Sequence, residues 1–345
     1  MSDINIRVEG RAGRITLTRP KALNALSHDM CRAIDTALHL WREEEQVALV
    51  IIDAEGDKAF CAGGDIAELY ETGMRGEYDY GQSFWRDEYR LNALLATYTK
   101  PVVSFMQGFT MGGGVGIGCH GKHRVVEESS RIAMPECGIG LVPDVGGSYL
   151  LARAPGHLGV YLGTTAARMD AADAIFAGFA DHFIPRAEWG DLIELIEASG
   201  DVSVLSTHAK TPPDAALSTR QPEIDRLFAA PTLSGIQENL AREDTEFARA
   251  TGAAMLRNSP LAMACALEII RFLQAESADM YHALRMEYRY THRAMQQGDF
   301  LEGIRAAIID KDRNPKWKFA GAPVPRDAIE AMLAPLGAEG LKFDR

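Results

Sequence analysis

An α/β layered core followed by a helical region is the fold class this sequence predicts, and three observations carry the prediction. Short β-type apolar runs alternate with helix-length amphipathic stretches through the first part of the chain, the pattern of strands and helices stacked in layers. The strand signal then fades after about residue 186. A length of 345 residues also exceeds one ordinary compact core. The expected division is a core over residues 1–198 and a helical carboxyl-terminal region over 199–345.

Taken in order, INIRV and GRITLT read as a hairpin, VALVIIDA and PVVSFMQG as short buried strands, and HRVVEE and RIAM as two more. Ser27 is placed to cap a helix through HDMCRAIDTALHLWREEE, and residues 78–98 form another. Residues 199–222 are rich in Ser, Thr, Ala and Pro and read as a loop or linker. Beyond them Ser259 followed by Pro260 marks a helix start, and Asp299 with Glu302 resembles a capping box.

Composition narrows the function classes. Apolar residues at 47% and charged residues at 24% describe an ordinary globular protein. A formal net charge of −12 with no basic run argues against nucleic acid as a partner, yet leaves room for a small anionic ligand held by local groups. The five cysteines (Cys31, Cys61, Cys119, Cys137, Cys265) form no C-x-x-C pair, which disfavours a disulfide framework and a zinc knuckle, so no metal is expected. MSDINIRVEGRAGR lacks the apolar core of a signal peptide, and no later window holds the roughly 20 apolar residues of a membrane span. The expectation is a soluble, unprocessed, cytoplasmic protein without a membrane partner.

Two glycine-rich stretches stand out, AFCAGGDIAEL (59–69) and MGGGVGIGCHG (111–121). Each follows a β-type run and leads toward a helix, where exposed backbone N–H groups favour negative charge. Tight turns and close packing would explain either stretch alone. Gly116, Gly118 and Gly121 match G-x-G-x-x-G, but the last glycine leads into the strand-like KHRVVEE, so the dinucleotide reading is disfavoured.

Three carboxylates compete for a chemical role. Phe84, Leu91, Leu95 and Tyr98 define one helical face, and Glu88 falls on the same stripe. An inward acid must be hydrogen-bonded, paired or set in a polar cavity. Asp144 follows Pro143 and precedes VGGSYLLAR, so it reads equally well as a helix cap. Glu136 follows Pro135 in a segment with few polar neighbours, where burial would suit it to acid, base or nucleophile work.

Four stretches in chain order, RPKALNAL (19–26), AFCAGGDI (59–66), TMGGGVGIG (110–118) and MPECGIGLVPDVGG (134–147), resemble the crotonase or enoyl-CoA hydratase/isomerase superfamily. The resemblance implies a crotonase-like spiral of ββα repeats with a helical carboxyl-terminal region. It implies a thioester-derived oxyanion held by two backbone N–H groups, those of Gly64 and Gly113. Backbone around Lys21, Ala22, Ala62, Gly64 and Ile66 would hold the coenzyme A moiety, which is part of the substrate, so no separate cofactor is expected. Hydratases of the superfamily resemble GGGCE after the triple glycine, and the acid's place is Gly116 here.

The match is better to the 3-hydroxyisobutyryl-CoA hydrolase branch, whose substrate-contacting positions fall on Glu88, Gly113, Glu136 and Asp144. Its carboxyl-terminal signature resembles MEYRYTHRAMQQGDFLEGIRAAIIDKDRNPKWK (286–318). The implied reaction is hydrolysis of a short-chain 3-hydroxyacyl-CoA, 3-hydroxyisobutyryl-CoA above all, in valine catabolism, with Glu136, Asp144, Gly64 and Gly113 in the catalytic roles. The implied partner is the acyl-CoA substrate, and self-association into a homo-oligomer is left open. The rival readings are a hydratase or isomerase of the same superfamily and a non-catalytic acyl-CoA-binding protein.

Overall fold

A computed structural model describes residues 3–343. Its described strands are β1 (Ile4–Glu9), β2 (Ala12–Leu17), β3 (Leu49–Ala54), β4 (Ala59–Cys61), β5 (Val102–Met106), β6 (Phe109–Met111), β7 (His123–Val126), β8 (Arg131–Ala133) and β9 (His182–Phe183). The helices between and among them are α1 (His28–Glu43), α2 (Ala67–Met74), α3 (Tyr78–Ala96), α4 (Gly113–Gly118), α5 (Gly147–Arg153), α6 (Leu158–Thr165), α7 (Ala171–Phe176) and α8 (Trp189–Ser199). From there the chain is helical: α9 (Val204–His208), α10 (Ala216–Phe228), α11 (Leu233–Arg242), α12 (Glu246–Arg257), α13 (Pro260–Ala275), α14 (Met280–Gln297), α15 (Phe300–Ile304) and α16 (Arg326–Leu333).

The chain divides into two compact units, each drawn from three stretches. The first comprises Met1–Asp65, Asp87–Ala133 and Arg168–Ser218, and the second Ile66–Arg86, Met134–Ala167 and Thr219–Arg345.

The first unit contains two sheets. Six strands run in the order β1-β2-β3-β5-β7-β9, with β1 antiparallel at one edge and the rest parallel. Side chains alternate across a strand, so a sheet apolar on both faces must be covered on both. Ala12, Leu49, Ile51, Val103, Phe105 and Val125 pack on one face against Trp189, Leu192 and Ile196 of α8. On the other face Gly13 leaves room for the Trp41 ring of α1, which a β-carbon there would strike. The second sheet is short and parallel, in the order β4-β6-β8. The β1–β2 hairpin and the strands read from VALVIIDA, PVVSFMQG, HRVVEE and RIAM are present; β4, β6 and β9, each of two or three residues, were not read.

The second unit is helical and centres on α13, which packs against α5, α6, α14 and α16. Ser259 caps α13 as its sequence implies, accepting from the Ala262 amide at 3.1 Å with Pro260 in the first turn. Ser27 caps α1 in the same way, from Met30. The 199–222 loop expectation holds only in part: residues 209–215 lie outside any helix, but α9 and the first half of α10 also lie there. Pro222 sits in the interior of α10, so proline and small polar residues concealed a helix that tertiary packing stabilises. Asp299 forms no capping box either: its carboxylate accepts from the Ser259 hydroxyl at 2.6 Å and the Lys318 amide at 3.1 Å, while Glu302 pairs with Arg305. Among the described residues no single helix is long and apolar enough to cross a membrane.

Ser259 both caps α13 and donates to buried Asp299. Ser259→Ala removes the cap and leaves that acid short of a partner, a loss of about 1–3 kcal/mol. The midpoint of thermal unfolding is expected to fall by several degrees, measured by circular dichroism against the unaltered chain.

Candidate functional site

In the first unit the glycine stretches meet because of strand pairing. β4 and β6 are parallel neighbours, with Cys61 opposite Thr110, so the turns leaving their carboxyl ends emerge side by side. After β4 the chain turns through Gly63 at φ +115°, and after β6 through Gly112 at φ +47° into α4. A β-carbon on Gly113 would lie 3.4 Å from the Gly64 amide nitrogen and 3.0 Å from Glu88 Oε1. One on Gly114 would run into the Cys61 carbonyl oxygen, a backbone atom with no room to yield. Gly113 is the first residue of α4, where the amide has no partner within the helix.

Glu88 sits on the buried face of α3 with Leu91 and Leu95, as the stripe implied, and is 4% exposed; Tyr98, also buried, lies just past the helix end at Ala96. The Glu88 carboxylate is thereby brought to the two glycine turns. The RPKALNAL segment is stitched to the same place: Leu26 donates to the Gly63 carbonyl at 2.9 Å, Asp65 to Leu26 at 2.9 Å, and Ala62 to Leu23 at 3.0 Å. Lys21 and Ala22 lie on the exposed 3-10 turn Pro20–Ala22. Leu23 and Asn24 both take positive φ. Buried Asn24 holds that turn, donating to the Glu55 and Ala59 carbonyls at 2.9 Å each. Ile66 precedes α2 as its N-cap residue.

In the second unit Glu136 opens the 3-10 turn Glu136–Ile139 and Asp144 precedes α5; both are 4% exposed. The turn bearing Glu136 is held from several sides. Ser259 donates its amide to the Cys137 carbonyl at 2.9 Å, and the Tyr290 hydroxyl donates to the Gly140 carbonyl at 3.0 Å. Gly303 passes so near the Ile139 carbonyl that a β-carbon there would collide with it.

The cap reading of Asp144 fails. The N-cap of α5 is Gly146, with no side chain to offer. The capping acid is Glu287 of α14, which accepts from the amides of Gly146 at 2.9 Å and Ser148 at 3.1 Å and from the Ser148 hydroxyl. Burial pushes the Glu287 carboxyl up to about 8; the Ser148 hydroxyl and the two amides oppose the shift, and the nearby Asp144 charge adds to it. The sequence reading passed over Glu287, although the test that selected Glu88 would have found it. It shares a helical face with buried Ala283, Leu284, Tyr288 and Thr291.

The second unit also holds a cleft of 1210 Å³ walled by Leu233, Met255, Leu256, Met263, Trp317 and Phe319, among others. It is lined by none of the acids or glycines singled out above.

A parallel α/β core whose adjoining strand ends present two glycine turns side by side is the architecture of the crotonase fold. The pattern of the enoyl-CoA hydratase/isomerase family matches residues 12–333, and the chain belongs to that family. It is 40% identical over 354 residues to a protein of Danio rerio named "3-hydroxyisobutyryl-CoA hydrolase, mitochondrial", covering 99% of this chain and 92% of the other. A Homo sapiens protein of the same name is 37% identical over 353 residues, covering 99% and 91%. Among solved structures, an enoyl-CoA hydratase from Rhodobacter sphaeroides 2.4.1 superimposes with a TM-score of 0.96 at 56% identity, covering 99% of this chain and 100% of that one. A carnitinyl-CoA dehydratase from Mycobacterium thermoresistibile gives 0.94 at 38%, covering 100% and 99%.

The names of the hydrolase relatives place them in mitochondria, which overturns the expected cytoplasmic location. An apolar leader is the mark of secretion, whereas mitochondrial import uses amphipathic, Arg-rich leaders. Lack of the former therefore carried no information about the latter.

Two outcomes test these environments. Gly114→Ala forces a β-carbon into the Cys61 carbonyl and is expected to lower the unfolding midpoint markedly, while Gly113→Ala meets the movable end of Glu88 and shifts it by a few degrees at most; thermal denaturation compares them. Glu287 takes up its proton more readily folded than unfolded, so its contribution to stability is complete below 4.5 and is lost as pH rises through about 8. The stability difference between the unaltered chain and Glu287→Gln should therefore shift against the unaltered chain across that window, read by urea denaturation at a series of pH values.

Proposed function

We propose that this protein hydrolyses a short-chain 3-hydroxyacyl-CoA thioester, 3-hydroxyisobutyryl-CoA first, to the free hydroxy acid and coenzyme A, a step of valine catabolism. The observation that carries the reading is the adjacency of the Gly64 amide to Gly113, beside the Glu88 carboxylate. The near full-length likeness to relatives named as such hydrolases supports it.

Attack on a thioester puts negative charge on the former carbonyl oxygen. Two fixed amides suit that oxygen, and each well-aimed donor contributes about 3 kcal/mol to the transition state. We assign those donors to Gly64 and Gly113, and the coenzyme A contacts to the backbone of Lys21, Ala22, Ala62, Gly64 and Ile66. Glu136 supplies the working carboxylate by one of two routes. As nucleophile it forms an acyl anhydride, expelling the coenzyme A thiolate, and water then opens the anhydride. As general base it takes a proton from the water that attacks directly. Asp144 orients the substrate's 3-hydroxyl or that water and assists protonation of the departing thiolate, and Glu88 contacts the acyl portion.

The names of the two similar solved structures favour a second reading, proton transfer next to the thioester carbonyl in a hydratase. Against it stands Gly116, buried within α4 where hydratases of the superfamily carry an acid. One experiment separates the two: the protein is given 3-hydroxyisobutyryl-CoA and an enoyl-CoA, and thiol release is followed against loss of enoyl absorbance. Thiol release without hydration is expected; hydration without thiol release would sink the hydrolase reading, and binding without either would mark a non-catalytic acyl-CoA carrier.

Glu136→Gln retains the size of the side chain and removes its basicity. Turnover of 3-hydroxyisobutyryl-CoA is expected to fall about 1,000-fold, with coenzyme A binding by calorimetry unchanged. Near-normal thiol release by this variant would remove Glu136 from the mechanism.

A further inference from the structure

The turn between Asp144 and α5 is held in an unusual way. Val145 takes φ +53° and Gly146 φ +78°, two left-handed residues in succession immediately after the aspartate. A β-branched residue at positive φ is disfavoured by its own side chain, and such backbone persists only where its surroundings over-determine it. Prominent among the surroundings here is one carboxylate. Glu287 is fully buried and receives the amide of Gly146, the amide of Ser148 and the Ser148 hydroxyl. The Asp144 carbonyl closes the turn from inside, accepting from Gly147 at 2.6 Å.

A cap chosen for helix stability alone would come from the turn itself, as Ser27 and Ser259 do for α1 and α13. This cap comes from a residue 141 positions downstream of the amide it receives. The nearby Asp144 charge also helps to hold the Glu287 carboxyl protonated, so ionising that cap works against stability. The feature such a cap does secure is the direction of the chain at Val145 and Gly146, and hence of the aspartate one step before them.

We infer that Glu287 is a positioning residue for the reaction: by clamping the Gly146 and Ser148 amides to α14 it fixes the left-handed turn that aims the Asp144 carboxylate. The inference rests on the hydrolase reading for the meaning of that aim, but the clamp can be tested without it. Glu287→Gln offers one acceptor oxygen to three donors and turns an N–H group toward the rest. Ser148→Ala removes one donor and leaves both amides in place.

The full-length protein, Glu287→Gln, Ser148→Ala, Asp144→Ala and the Glu287→Gln/Asp144→Ala double variant are compared in three measurements. In thiol release from 3-hydroxyisobutyryl-CoA, Glu287→Gln is expected to lower kcat about 30-fold with KM within about threefold, and the double variant to fall no more than about twofold below Asp144→Ala alone. Coenzyme A affinity by calorimetry is expected to stay within about threefold of the unaltered chain. Amide exchange at Gly146 and Ser148 is expected to accelerate at least about tenfold in Glu287→Gln while the core of α13 is unchanged.

Multiplication of the two kcat losses, a kcat within about threefold of the unaltered chain, or unchanged exchange at both amides would each overturn the inference. If Glu287→Gln does not fold, Ser148→Ala decides. A several-fold loss of kcat that disappears in the Asp144→Ala background supports the clamp, and one that persists there overturns it. If the unaltered chain releases no thiol from this substrate, the hydrolase reading fails first, and the exchange measurement still judges the clamp.

Discussion

Backbone amides cannot be re-aimed by rotating a side chain, so two of them converge only where the chain itself is brought together. In the first unit the chain is brought together at the two glycine turns by the parallel pairing of β4 with β6, three residues each. The pairing sets the ends of the two strands side by side, and Gly114 lets α4 seat directly on the Cys61 carbonyl. Gly113 keeps the space above the Gly64 amide free of side-chain carbon. Placement of Glu88 and the stitching of Arg19–Leu26 onto Ala62–Asp65 both follow from the same junction. A larger residue at any of these points would separate the turns or fill the gap between them.

The second unit solves a different problem, that of holding two acids in the interior on loops with little regular structure. Its means are hydrogen bonds from helices far along the chain: Tyr290 and Ser259 on the Glu136 turn, Glu287 on the Asp144 turn, and Asp299 bracing Ser259. Each such bond contributes about 1 kcal/mol, but losing one partner leaves a buried polar group unmet at a cost of up to about 3 kcal/mol. The carboxyl-terminal signature at 286–318 is thus the frame for the residues at 134–147. Glu287, Tyr290 and Asp299 all fall inside it.

Much of this was legible in the sequence, and the exceptions have identifiable causes. Burial of Glu88 followed from the stripe of Phe84, Leu91, Leu95 and Tyr98, because helical periodicity is a local signal. The hairpin and the long strands were legible for the same reason. β4 and β6 were not, since a three-residue strand has no periodicity to detect; the glycines flanking them were the visible trace. α10 was hidden by Pro222 and its polar neighbours. A cap of α5 by Asp144, the nearest acid, stayed open in the sequence, because the acid that takes that place lies on another helix, and a contact of that range leaves no mark in a short window. Glu287 itself was within reach of the same local signal, as an acid among the buried residues of α14.

The five thiols of the chain are all buried and unbridged. Burial pushes those of Cys61 and Cys119 up to about 12 and raises the other three as well. Exchange with another sulfur needs a thiolate that is exposed, and at neutral pH only about one in 100,000 of such groups would be ionised. A catalyst that releases coenzyme A generates a reactive mercaptan at its own surface with every turnover. Where that product has been oxidised to its own disulfide, sequestered sulfur offers no thiolate to attack it and expel coenzyme A, so the polypeptide is shielded from mixed disulfides by exchange.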